Sequence, residues 1–175
     1  MRKAFIVILV CIVTVLSADA SAQTRRRSTA RRNASATKAA AEKTAAEVKA
    51  GAAQVATQIK ALTHFVYLYG GIAKGIASVD QAASQKEASP AAIEQNNRNK
   101  AKVRESITSL REGLDKLERD FRFNPALSPY FPYMSGVART GETAETQAAA
   151  NRFDDAGKSL LKVIDQLADT LAAMR

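Results

Sequence analysis

His64 is the only imidazole in the chain and Cys11 the only thiol, so the chemistry open to this sequence is narrow from the start. A di-iron helical bundle places a Glu three residues before its His on the same helix face, and that position here is Ala61. A zinc site needs further His or Cys ligands, and a c-type haem needs Cys-x-x-Cys-His. What remains for His64 is a b-type haem, with a Met as second axial ligand. Asp154 and Asp155 are adjacent carboxylates. On a helix they point about 100° apart, and with Arg152 and Lys158 beside them they read as a solvated face, not an acid–base pair. Gly70, Gly71 and Gly75 follow no strand and so form no dinucleotide fingerprint. No nucleophile elbow or metalloprotease motif is present either. The expectation is a protein that is not an enzyme, with no catalytic residues, no metal and no cofactor.

Two groups of residues are suited to binding instead. Arg25, Arg26, Arg27, Arg31 and Arg32, with Lys38, are separated by small polar residues, and no acid follows them before Glu42. They supply most of the formal charge of +9, so the basic character belongs to one segment and not to a whole surface. Such a segment suits anionic lipid head groups or anionic polysaccharide. Nucleic acid is not expected, because no aromatic residue is interleaved for stacking. The second group is apolar: Phe65, Tyr67 and Leu68 on one helix, and Tyr130, Phe131 and Tyr133 in a connection broken by Pro125, Pro129 and Pro132. These residues predict that the connection folds back over positions 60–70 as an aromatic lid, with Gly70 and Gly71 making room for its rings. The lid either completes the core or receives a partner.

The elements that must position these groups are helices. Ala is abundant and alternating β-branched runs are absent. A first seam runs through Val55, Ile59, Leu62, Val66, Tyr69, Ala73 and Ile76, at steps of three and four. A second runs through Ile93, Asn96, Lys100, Val103, Ile107, Leu110, Leu114, Leu117 and Phe121. A third runs through Thr146, Ala150, Phe153, Gly157, Leu160, Ile164, Leu167, Leu171 and Met174. Ser89-Pro90 separates the first two, as N-cap and first helical residue of the second helix. Folding the chain back there brings Asp80 beside Asn96 and Lys100, so the polar interruptions of the two seams meet.

Residues 1–22 have the parts of a secretory signal: basic Arg2 and Lys3, an apolar run over 4–16, and small-x-small sites at residues 18–22. A retained N-terminal anchor is the alternative, but the run is short of the roughly 20 residues that span a bilayer. After cleavage the chain would hold no cysteine and no disulfide.

The expected architecture is therefore all-α: an antiparallel up-down-up three-helix bundle over residues 38–175, with helices at about 38–88, 90–122 and 143–174. It follows a signal peptide at 1–22 and a basic disordered tail at 23–37. A break at Gly70-Gly71 would make it a four-helix bundle instead. The expected function is binding or scaffolding in the cell envelope, in the bacterial periplasm or outside the cell. Its partner would be an unidentified protein, an envelope component or a further copy of the chain. A small-ligand or haem carrier using the bundle interior near His64 is the alternative.

Overall fold

The computed structural model describes residues 18–175, with side chains from residue 35 onward. In chain order the elements are α1 (Ala18–Ser84), α2 (Pro90–Phe123), a 3₁₀ turn (Ser128–Tyr130), α3 (Phe131–Met134), α4 (Val137–Ala149) and α5 (Phe153–Ala173). No strand occurs among the described residues, as the composition requires. Most of the leader read at residues 1–22 lies outside the described part. The chain divides into two compact units, Met1–Ala45 and Ala46–Arg175.

In the first unit the backbone is helical from Ala18, twenty residues before the expected helix start at residue 38. Local propensity accounts for this. The segment holds neither Gly nor Pro, and Ala and Arg are among the strongest helix formers. Residues 35–45 are exposed on every side. Lys38 and Glu42 lie 3.9 Å apart one turn away from each other, and the Thr44 hydroxyl donates to the Ala40 carbonyl at 3.0 Å.

The second unit contains the core. Helix α1 passes through Gly70 and Gly71 without interruption, so those glycines do not form the turn that a four-helix arrangement would have needed. Its seam is buried at Val55, Leu62, Tyr69, Ala73 and Ile76. The helix ends at Ser84 in a left-handed turn on Lys86 (φ 62°). There the Glu87 N–H reaches the Ala82 carbonyl at 2.8 Å and the Lys86 N–H reaches Ala83 at 3.1 Å, which satisfies two orphan carbonyls. Ser89 then caps α2, its hydroxyl accepting from the Ala92 N–H at 3.2 Å, with Pro90 at the first helical position.

Contacts between α1 and α2 run up one helix as they run down the other. Asp80 accepts from Asn96 Nδ2 at 2.8 Å and pairs with Lys100 Nζ at 2.6 Å, as the seam interruptions predict. Further along, Gln58 lies across Gly113. On α2, Val103, Ile107, Leu114, Leu117 and Phe121 are buried against this side.

The third expected helix is two. Helix α4 ends at Ala149 and α5 starts at Phe153, so Thr146 and Ala150, read as the start of one long seam, are exposed. The cause is Asn151, which holds φ at 59°. Its N–H donates to Ala148 at 3.0 Å and the Arg152 N–H to Gln147 at 2.8 Å, the same terminating turn as at Lys86. Each piece has its own buried stripe, Val137, Gly141, Ala144 and Ala148 on α4, and Phe153, Ala156, Leu160, Val163 and Leu167 on α5. Four helices, α1, α2, α4 and α5, thus pack on one apolar core.

Candidate interaction surface

Helix α2 positions everything that follows it by gripping α4 at both ends. Gly136 starts α4 with φ at 91° and brings no side chain to cap it. The orphan N–H groups are met from α2, because the two carboxylate oxygens of Glu118 accept from Gly136 N at 3.1 Å and Ala138 N at 2.8 Å. At the other end Arg104 Nε donates to the Ala148 carbonyl at 3.2 Å, and its Nη2 donates to Asn151 Oδ1 at 2.8 Å. An acid sits at the positive end of the α4 dipole and a cation at the negative end. Between them Thr108 donates to Glu145 at 2.6 Å, and Arg111 Nε lies 2.8 Å from the same carboxylate. The spacing of four between Glu118 and Arg122 alone suggests an outward ion pair. The Glu118 side chain is in fact largely buried, and Arg122 is only a 3.8 Å neighbour. The signal available beforehand was the uncapped start at Ser135-Gly136-Val137, which requires an acceptor from elsewhere in the chain.

The aromatic connection does not form the expected lid over positions 60–70. Leu127 packs into the space at Gly51, and Arg122 stacks over the Phe131 ring at 4.9 Å. Gln166 on α5 donates to the carbonyls of Tyr133 and Ser135 at 3.2 and 2.8 Å. Tyr130 and Phe131 are half-buried against the core, whereas Tyr133 stays 52% exposed. The connection is thus anchored where α2 ends, and it leaves the middle of α1 uncovered. The six candidate residues therefore form two separate places: Phe65, Tyr67 and Leu68 on α1, and Tyr130, Phe131 and Tyr133 beside α5.

On α1 the pattern is clear residue by residue. Phe65 is half-buried and stacks on Tyr69 with ring centroids 5.3 Å apart. The Tyr69 hydroxyl donates to the Phe153 carbonyl at 2.5 Å, and the ring lies over Gly157, whose absent Cβ leaves room for it. Burial, with Asp154 nearby as the smaller cause, pushes that hydroxyl well above the usual phenol range. Outward from this anchored pair, Tyr67 is 82% exposed, Leu68 50% and Ile72 43%. No charged residue lies between Lys60 and Lys74. Gly70, Gly71 and Gly75 face open space, with nothing within 4 Å of where a Cβ would stand. Beside this stretch a recess of about 460 Å³ opens between α1 and α2, lined by Phe65, Ile72, Gly75 and Val79 with Asn99 and Lys102. A second, of about 400 Å³, lies further along the same two helices, between Gln54 and Gln58 on one side and Gly113, Lys116 and Asp120 on the other.

His64 is exposed on α1 and does not enter the bundle interior. Asp154 is exposed, and Asp155 lies 3.3 Å from Lys158. Among the described residues no three of His, Cys, Asp and Glu stand together as metal ligands. Likewise, no described helix is long and apolar enough to cross a membrane. The side chains of Arg25, Arg26, Arg27, Arg31 and Arg32 lie outside the described ones. No protein-family model, curated protein or solved structure matches the chain.

Proposed function

We infer that this chain is an exported, non-enzymatic helical bundle that acts by binding, as a scaffold in the cell envelope, through the uncovered face of α1. The observation that carries this reading is the uncharged surface of α1 around Tyr67, Leu68 and Ile72, which the aromatic connection leaves open. Exposed apolar surface beside a recess is what a binding protein must present. The contacts from Asp80 to Gln58 support reading α1 and α2 as an antiparallel hairpin, with α4 and α5 packed on its other side. Residues 1–22 are the export signal in this reading, and the Arg25–Arg32 cluster is a second contact, to anionic lipid or polysaccharide. The carrier alternative gains no support from His64, which stands at the surface.

Expression of the full chain in a bacterial host with an outer membrane tests the reading. The expected outcome is a processed N-terminus and recovery with periplasmic or envelope material, from which Leu68→Glu/Ile72→Glu releases the protein. Recovery in the cytoplasm with residues 1–22 intact, or envelope association indifferent to the substitution, overturns it. A Soret band or bound metal in the purified protein would favour the carrier.

A further inference from the structure

We propose that the uncovered α1/α2 face is the site at which a second copy of this chain docks, α1 against α1 and α2 against α2 in opposite directions across a twofold axis. The proposal deepens the binding function above by naming its partner. Beside the core seam, α1 carries a second stripe through Ala61, Phe65, Leu68, Ile72, Gly75 and Val79, again at steps of four and three. The facing edge of α2 repeats the spacing through Asn99, Lys102, Ser106, Ser109, Gly113, Lys116 and Asp120. The α2 stripe borders both recesses; the α1 stripe borders the first, and Gln54 and Gln58 carry the α1 side of the second.

Size, glycine placement and polarity select the occupant. The stretch from residue 54 to residue 79 is about 39 Å of helix, and two helices side by side are about 20 Å across, so the face offers about 800 Å² per partner, the area of a standard specific interface. Gly75 weakens an exposed helix turn and gives the chain itself no contact in return. A helix backbone crossing close by is the contact that such a position admits. The twofold axis passes α1 between Phe65 and Leu68, which is level with Ser106 on α2. Phe65 then meets the partner's Leu68, and Ala61 meets the partner's Ile72, large against small. On α2, Ser106 then meets its own copy, Asn99 falls opposite the partner's Gly113 and Lys102 opposite the partner's Leu110, so no like charges confront each other. The parallel alternative would lay the apolar stripe of α1 on the polar stripe of α2, so that Phe65, Leu68 and Ile72 would meet Asn99 and Lys102 and not one another.

Equilibrium sedimentation of the full chain is the test. Wild type should be a dimer at micromolar concentration, and Leu68→Glu/Ile72→Glu should raise the dissociation constant at least about 100-fold while the helical circular dichroism is unchanged. Gly75→Ala is the second variant, since its side chain meets nothing within one copy. It should raise the melting temperature of the monomer and weaken the dimer about tenfold or more. Spin labels on Ser78→Cys, in a Cys11→Ser chain, should lie about 35 Å apart in the antiparallel dimer. A monomeric wild type, a dimer that persists in the double glutamate variant, or labels within about 20 Å overturns the proposal. If wild type is monomeric but envelope association still depends on Leu68 and Ile72, this inference fails and the binding function stands. If the dimer forms as described but no envelope association depends on the face, the dimer stands and the envelope function fails.

Discussion

The glycines on the packed side of the bundle and those on the open side of α1 are the same residue in opposite situations. At Gly141 an added Cβ would stand 3.0 Å from Leu114 Cδ1, and at Gly157 it would stand 3.1 Å from the Tyr69 ring. Both lose helix propensity and gain close approach of a neighbour. Gly70, Gly71 and Gly75 carry the same loss with nothing within 4 Å. A glycine in a helix costs up to about 1 kcal/mol relative to alanine wherever it stands. On the packed side the fold explains that cost, whereas on the open side no contact within the chain offsets it.

The sharpest way to break this comparison is to fill a packed glycine. Gly141→Val drives two methyl groups into Leu114 and the Arg111 backbone, and should lower unfolding free energy by about 3 kcal/mol in urea denaturation. A loss below 1 kcal/mol would mean that α4 shifts freely and the close approach is incidental. Glu118→Ala tests the grip on the same helix. It leaves the N–H groups of Gly136 and Ala138 without their acceptor and should cost about 2 kcal/mol, whereas Arg122→Ala, which removes a 3.8 Å neighbour of Glu118 and the cation over the Phe131 ring, should cost no more than about 1 kcal/mol.

Tyr69 sharpens the packed side through pH. Its hydroxyl is held protonated in the folded state above the ordinary value near 10, so the stability it contributes is fully present below that pH and is lost as pH rises beyond it. Wild type should therefore lose melting temperature more steeply above pH 10 than Tyr69→Phe does. Parallel curves would show that the phenol does not titrate with folding.

On the open side the effects are smaller and of opposite sign. Gly71→Ala should stabilise the chain by about 0.5 to 1 kcal/mol, and a loss instead would show that the position is packed after all. Deleting residues 23–36 should leave the melting temperature unchanged while abolishing any salt-sensitive association with anionic vesicles. A fall of several degrees would show that this segment supports the bundle.

Much of the fold was legible because burial follows period. Leu62, Tyr69, Ile107, Leu114, Leu160 and Leu167 are buried where their spacing put them. The meeting of Asp80 with Asn96 and Lys100 was legible because two seams lost their apolar residues at the same distance from Ser89-Pro90. Asn151 was harder. One left-handed residue ends a helix, and the apolar rhythm runs on across the break, so Ala150 looked like seam. The position of Tyr130 and Phe131 left no periodic trace, since a proline-broken connection has no repeat to set its level against a helix. Of the candidate surface, the apolar excess at Phe65, Tyr67 and Leu68 was readable. That it stays open was not, because this depends on where the connection goes.

The two-ended grip on α4 has a consequence for how the molecule opens. The buried stripe of α4 is built from small residues, Val137, Gly141, Ala144 and Ala148, so each adds little apolar area, and Glu118 and Arg104 add polar contacts at its two ends. Such a helix does not fray from one end while the other holds. In hydrogen exchange, the amides of α4 should become unprotected together, as one cooperative unit that separates from α2 before α2 itself opens.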